Sequence, residues 1–299
     1  MLDRYSFEVL ALAERSGLPR RAWRESAEAL CLSGSRYTSV RDDLLARGLL
    51  CDTGDALAVT PAGLEALEPY RARRAVIFAA GFGSRMVPVT LTTPKPLVTV
   101  HGIRMIDRLL DAFLAVGITD ITIVRGYLKD KFDVLKDKYP AIRFADNDKY
   151  ETENNISSAL AALDSIDRTY ICAGDLLLTD PAVIRKYHYC SNYLASYSLE
   201  TDDWCFDWEG GYAANYRKGG TRCYNQYEIT YWDAEDCRKL RRDWQEAYRA
   251  EGGHDLFWEY IPLVTHKDNY RVEIRPCPKG AVMEIDNYAE LQEVDAAYL

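Results

Sequence analysis

The chain has 299 residues, a formal net charge of −9, 48% hydrophobic and 28% charged residues, and a mean hydropathy of −0.29. This length predicts about two domains, and the composition excludes a disordered or fibrous chain. No apolar run reaches the roughly 18 residues of a membrane span, and the acidic balance excludes general nucleic-acid affinity.

Asp3, Arg4 and Glu8 stand where a secretory signal would need apolar residues, so a cytoplasmic location without membrane contact is expected. The eight cysteines include no C-x-x-C pair and no two lie closer than 14 positions, which disfavours structural zinc and predicts reduced, partly buried thiols. Four scattered histidines offer no H-E-x-x-H site.

Residues 1–74 hold eleven arginines, no lysine and eleven acidic residues, so this segment is neutral and the remainder carries the whole negative charge. That shift predicts a boundary near residue 74, with domains at 1–74 and 75–299. In the first, apolar spacings of three and four predict helices over Asp3–Glu14 and Arg20–Leu30, and a third helix follows at Ser35–Ala46. The strands Leu49–Cys51 and Ala56–Val59 flank the turn Asp52-Thr53-Gly54-Asp55 as a hairpin. Three helices and a hairpin predict a small winged helix-turn-helix domain. Thr60-Pro61 starts a further helix to about Tyr70, because proline fits a first turn that needs no donor. Arg71–Arg74 reads as a linker.

From Ala75 strands and helices alternate: strand Ala75–Ala80, helix Arg104–Val116, strand Ile121–Val124, helix Lys129–Tyr139, strand Ile142–Phe144, helix Asn154–Leu163 and strand Tyr170–Ala173. The alternation predicts an α/β domain with a mostly parallel sheet covered on both faces. Beyond Pro181 come shorter, aromatic-rich strands at Tyr193–Leu199 and Cys223–Tyr231, a helix at Ala234–Ala250, and a last strand and helix around Val282–Tyr298.

The segment Ala79-Ala80-Gly81-Phe82-Gly83-Ser84-Arg85-Met86 directly follows the first strand of this region. Glycines there let backbone N–H groups approach a phosphate chain. Met86 stands where a dinucleotide fingerprint would have its third glycine, and the Lys-Ser/Thr of a Walker A loop is missing. G-x-G-S-R followed nine residues later by Pro94-Lys95-Pro96 resembles the signature of nucleotidyltransferases that join a nucleoside triphosphate to a phosphorylated small molecule.

Further segments carry the resemblance on: Ile123-Val124-Arg125-Gly126-Tyr127-Leu128, Asn154-Asn155-Ile156-Ser157-Ser158, Tyr231-Trp232-Asp233-Ala234 and Glu284-Ile285-Asp286. Over about residues 75–297 the chain is similar to the bacterial phosphocholine cytidylyltransferases of the lic type, including forms with an N-terminal winged helix. That likeness implies a Rossmann-like nucleotidyltransferase fold with a mostly parallel mixed sheet. It also implies that Ala80, Gly81, Gly83, Ser84 and Arg85 hold the triphosphate of CTP. Arg85 and Lys95 would neutralise the charge that builds at the α-phosphorus and on pyrophosphate. Gly126, Tyr127 and Asn155 would lie near base and sugar.

Carboxylates at strand ends suit Mg²⁺, which takes a few carboxylates plus phosphate oxygens and water. Asp175, after Tyr170–Ala173, and Asp286, after Ala281–Ile285, meet that description, and Glu284 shares the face of Asp286. The family's D-x-D is here Ala173-Gly174-Asp175, which places more weight on Asp175.

Five of the six tryptophans fall after residue 203, among tyrosines and acidic residues. A trimethylammonium group donates no N–H bond and is held by aromatic faces and carboxylates. By similarity to the family's choline pocket, Trp204, Trp258 and Asp255 are expected to hold phosphocholine. Trp244, within an amphipathic helix, is expected in the core.

The expected reaction joins CTP and phosphocholine into CDP-choline and pyrophosphate. Alternatives within the class are a cytidylyltransferase for phosphoethanolamine or 2-aminoethylphosphonate, and a sugar-1-phosphate nucleotidylyltransferase. An alternative of another class is a nucleotide-sensing transcription regulator. On the third N-terminal helix Asp42 and Asp43 accompany Arg36 and Arg41, which favours a structural, dimerising or regulatory role over DNA binding.

Overall fold

The computed structural model describes residues 1–19 and 23–299. The chain forms two compact units, Met1–Arg71 with Tyr187–Tyr189, and Ala72–Lys186 with Cys190–Leu299.

In the first unit, helix α1 (Arg4–Ser16) begins where the Asp3 carboxylate accepts the Ser6 N–H at 2.9 Å and ends at Gly17, whose φ of +65° suits glycine. Strand β1 (Leu18–Pro19), α2 (Trp23–Ala29) and α3 (Gly34–Ala46) follow. Next come β2 (Leu50–Asp52), β3 (Ala56–Val59) and α4 (Pro61–Leu67). The expected hairpin is thus the larger part of a three-stranded antiparallel sheet, ordered β1-β3-β2. Phe7, Leu10, Leu18, Tyr37 and Leu44 form its core. Arg20 and Arg21, the expected start of the second helix, lie outside the described residues. On α3 the Arg41 guanidinium is held by Asp42 at 2.7 Å and Arg36 lies over the Tyr5 ring. The segment expected as a linker to Arg74 is more ordered than that: Arg74 opens a strand, Ala72 N–H donates to Lys186, and Arg73 N–H donates to Arg168.

The second unit contains β4 (Arg74–Ala79), β5 (Thr99–Val100), β6 (Ile103–Arg104), α5 (Met105–Ala115), β7 (Asp120–Arg125) and β8 (Arg143–Asp146). It continues with α6 (Ile156–Ala161), β9 (Thr169–Ala173), β10 (Leu176–Leu178), β11 (Asn192–Glu209) and β12 (Tyr212–Trp232). Helix α7 (Ala234–Arg249), β13 (Glu273–Pro276), β14 (Val282–Glu284) and α8 (Tyr288–Val294) complete it. The main sheet runs β11-β13-β12-β9-β4-β7-β8. Its β8, β7, β4 and β9 strands are parallel and β12 is antiparallel to β9, so the sheet is mixed and mostly parallel. Central β4 is buried on both faces, Ala75, Ile77 and Ala79 in one layer and Val76 in the other. Against the first layer α5 lays Ile106, Leu109, Leu110 and Phe113, and against the second α7 lays Cys237, Leu240, Trp244 and Ala247, both at helical spacing.

Two expectations change. The segment expected as a helix over Lys129–Tyr139 is a 3-10 helix over Lys129–Asp137. Its buried side chains, Phe132 and Leu135, are three residues apart, the period of the tighter helix. The short strands expected at Tyr193–Leu199 and Cys223–Tyr231 are parts of β11 and β12, which pair as one long hairpin with irregular register. Gly210 and Gly211, both at positive φ, make its turn.

Candidate active site

Strands β4 and β9 are parallel neighbours, so the loop after Ala79 and the residues after Ala173 emerge side by side at their C-terminal ends. Gly174 N–H donates to the Phe78 carbonyl at 2.8 Å and ties the two exits together. The antiparallel pair β10–β14 sets Leu176 opposite Glu284, which brings Asp175 beside the segment ending in Asp286.

Lys95 closes this arrangement. Its Nζ lies 2.6 Å from Asp175 Oδ2 and 3.5 Å from Asp286 Oδ1, with the lysine 7% exposed. Burial pulls the ammonium down, and the Asp175 and Asp286 carboxylates more than offset it, so its pKa stands above the ordinary lysine value. Arg85, exposed in the turn Ser84–Met86, makes two 3.1 Å bonds to the two oxygens of Asp286. Arg85, Lys95, Asp175 and Asp286, far apart in sequence, are therefore one cluster.

The glycine loop is built around Lys95. Gly83 has φ +61°, and a Cβ there would meet Lys95 Cβ at 3.0 Å, so both conformation and space require glycine. At Gly81 a Cβ would meet nothing within 4 Å, which leaves room over the loop backbone, and Ser84 is exposed. Tyr127 N–H donates to the Ala80 carbonyl at 3.0 Å, and the Tyr127 hydroxyl donates to the Thr90 carbonyl at 3.0 Å. Gly126 lies against Tyr150 and the Ala80 carbonyl, where a Cβ would come within 2.9 Å. Ala80, Gly81, Gly83, Gly126 and Tyr127 thus share one side of the site. Asn155 is held by the segment around Glu259: its Oδ1 accepts the Trp258 backbone N–H at 2.8 Å and its Nδ2 reaches Glu259 Oε2 at 3.5 Å.

A group of further carboxylates couples electrostatically to this cluster. Glu259 is 2% exposed, and burial pushes its pKa up to about 7 against the lowering bond from Asn155. Half-buried Glu228 on β12 is raised well above the ordinary range, first by burial and then by the charges of Glu259, Asp175 and Glu284. Glu284 is pushed up to about 8, by burial, by the nearby Asp203, Asp286 and Asp175, and by a hydrogen bond with Asp203. Aromatic rings accompany them: Trp204 stacks on Tyr216 at 4.9 Å and meets Tyr260 edge-on at 5.7 Å.

Asp175 and Asp286, brought together on one lysine, offer two carboxylates of the kind a hard divalent cation takes, so these residues fit Mg²⁺. Glu284, expected as a third ligand, lies on the same segment as Asp286, with Asp203, Asp286 and Asp175 close enough to raise its pKa.

One expected residue, Trp258, is corrected. Trp258 is 2% exposed and packed by Tyr193, Trp232, Trp244 and Phe78, so it offers no free face. Asp255, in the turn Gly253–Asp255, is exposed, while Glu259 four residues later is the buried carboxylate. Glu228, Glu259 and the Tyr193 hydroxyl were missed. For Glu228 the signal was a charged residue in an apolar strand, since Gln226 and Glu228 alternate with Tyr227, Ile229 and Tyr231; Glu259, in a turn, had no such signal.

A mixed, mostly parallel sheet bearing a glycine loop, two cations and two strand-end carboxylates defines the α/β nucleotidyltransferases. The chain belongs to the MobA-like NTP transferase domain family, whose model matches residues 75–250. It is 36% identical over 229 residues to a 2-aminoethylphosphonate cytidylyltransferase of Lancefieldella rimae, covering 75% of this chain and 93% of the relative. It is 30% identical over 235 residues to a choline-phosphate cytidylyltransferase of Streptococcus pneumoniae, covering 74% and 97%. The solved structure of the CTP:phosphocholine cytidylyltransferase of Streptococcus pneumoniae superposes with a TM-score of 0.69 at 28% identity, over 76% of this chain and 100% of that one. Among the described residues no helix is long and apolar enough to cross a membrane.

Proposed function

We propose that the second unit transfers a cytidylyl group from CTP to a small acceptor with a phosphate or phosphonate at one end and an ammonium at the other. The carrying observation is the Lys95 ammonium bound to both Asp175 and Asp286, with Glu228 electrostatically coupled to Lys95, Asp175, Glu259 and Glu284. Cations suit a triphosphate, and enclosed carboxyl groups suit a cationic acceptor, whose charge would favour their ionised form. The relatives named above, both cytidylyltransferases for acceptors of this kind, support the reading.

An acceptor oxygen attacks the α-phosphorus in line and pyrophosphate leaves. The acceptor oxygen is anionic at neutral pH, so no general base is needed, and catalysis is positioning and charge neutralisation. Backbone groups at Gly81 and Gly83 bind the triphosphate, Gly126 and Tyr127 flank the nucleoside, and Arg85 swings from Asp286 to the phosphates. Lys95 holds the phosphate groups of donor and acceptor together. Asp175 and Asp286 would hold Mg²⁺, which supplies Lewis-acid polarisation of the α-phosphate when bound.

Phosphocholine itself is the second reading, favoured by Trp204 with Tyr216 and Tyr260, rings that can face a quaternary ammonium. The N-terminal unit is proposed as a winged helix with a structural, dimerising or regulatory role, in keeping with the pairing of Arg41 on α3 to Asp42. Pyrophosphate release with Mg²⁺ tests the reading, with CTP, UTP, ATP and GTP each offered 2-aminoethylphosphonate, phosphoethanolamine, phosphocholine and glucose-1-phosphate. Turnover restricted to CTP and the ammonium-bearing acceptors is expected; turnover with the sugar phosphate alone, or with no acceptor, overturns it.

A further inference from the structure

Within the carboxylate side, two buried oxygens lack partners among the described residues: Glu259 Oε1 and the Tyr193 hydroxyl. Both residues are almost wholly enclosed, at 2% and 0% exposure. They belong together, because the Tyr193 ring stacks on Trp258, next to Glu259 in sequence, and the Tyr193 hydroxyl feels the Glu259 and Glu228 charges. Asn155 holds the other Glu259 oxygen, Oε2, at 3.5 Å and accepts the Trp258 N–H, so Oε1 is the oxygen left for a ligand.

A buried carboxylate oxygen without a donor costs free energy that a charge-assisted hydrogen bond recovers. A quaternary ammonium neutralises charge but has no hydrogen to give, and its methyl groups would stand against these oxygens. A primary ammonium offers three N–H donors in the space of one small group. Sites built to hydrogen-bond a substrate group reject analogues lacking it far more strongly than aromatic surfaces discriminate between cations.

Resting on the cytidylyl-transfer reading, we infer that Glu259, with the Tyr193 oxygen beside it and Asn155 as its positioning residue, selects acceptors carrying a primary ammonium over those carrying a trimethylammonium.

The test uses the full chain with CTP and Mg²⁺ and a methylation series: 2-aminoethylphosphonate and its N-methyl, N,N-dimethyl and N,N,N-trimethyl derivatives. The wild type is expected to lose roughly 100-fold or more in kcat/KM across the series, most of it where the last N–H disappears. Glu259→Gln is expected to raise the KM for the primary amine by about 50-fold with the CTP KM unchanged, and to level the series to within about 5-fold. Tyr193→Phe keeps the packed ring, removes one oxygen, and is expected to cost about 10-fold for the primary amine and nothing for the trimethyl compound. Asn155→Ala should move the acceptor KM in the same direction while kcat stays within a few-fold, a split that a structural defect would not give. A wild type that uses the trimethyl compound as well as the primary amine overturns the inference and leaves cytidylyl transfer standing, as does a Tyr193→Phe enzyme with the full preference. Failure of every acceptor overturns both.

Discussion

The proposed nucleotide side of the site stands on the ends of two adjacent parallel strands, whereas the proposed acceptor side is carried by a long irregular hairpin and the segment around Glu259. The first side is assembled from short loops and partly solvated charges: Arg85 is exposed and already paired with Asp286, ready to exchange one anionic partner for another. The second is assembled from buried acids whose pKa values are raised by the lack of water. A triphosphate is recognised by charge that any nucleoside triphosphate shares, so that side needs only positive charge and an open backbone. An acceptor a few atoms long must be told from its neighbours by hydrogen bonds, which are selective only where water is kept out.

The comparison breaks most sharply at the point where the two sides meet. Asp175→Ala removes a carboxylate that faces both and is expected to lower kcat by about 10³-fold or more, with circular dichroism and melting temperature near those of the wild type. Near-normal turnover would remove Asp175 from the chemistry. Trp258→Ala sharpens the acceptor side by separating core from contact: calorimetry should show a loss of about 3–5 kcal/mol of stability, and any residual folded enzyme should keep its preference among acceptors. A soluble, normally stable variant with altered preference would return Trp258 to the binding surface.

A smaller effect follows from the buried acids. An ordinary glutamate titrates near 4.5 and Glu259 near 7 in the folded chain, so between those values the folded state binds more protons than the unfolded one. Stability therefore falls as pH rises from about 4.5 to about 7, and Glu228 and Glu284 act in the same direction. Glu259→Gln should flatten that slope and, at pH 8, raise stability by on the order of 1–3 kcal/mol in denaturant titrations. An unchanged slope would mean that the acid is solvated. Smallest is Trp204→Ala, expected to raise the acceptor KM by about 3- to 30-fold with the CTP KM unmoved, the scale of one cation–π contact; equal changes in both would remove Trp204 from the acceptor side.

Much of this site was readable because its groups lie at strand ends close to recognisable local sequence. Gly81, Gly83, Arg85 and Lys95 fall within fifteen residues, and the positive φ of Gly83 and its contact with Lys95 are local demands. Asp175 and Asp286 each follow an apolar run that reads as a strand. On the acceptor side the same reasoning points to Asp255 and Trp258, whereas in the fold Asp255 is exposed and Trp258 and Glu259 are buried. Within Asp255-Leu256-Phe257-Trp258-Glu259 both acids and both rings satisfy the composition of a cation site, and no period decides which one turns inward.

Taken alone, the sequence determined the alternation of strands and helices, the amphipathic faces of α5 and α7, and the glycine loop with its cations, because periodicity, capping and turn chemistry act over a few residues. Only the tertiary structure decided that Lys95 bridges two aspartates 80 and 191 residues away, that Gly210-Gly211 joins two strands into one hairpin, and that Glu259 is buried with an oxygen to spare. Burial and long-range pairing are properties of the whole packed chain, and the free energy of a buried charge depends on neighbours that the local sequence does not contain.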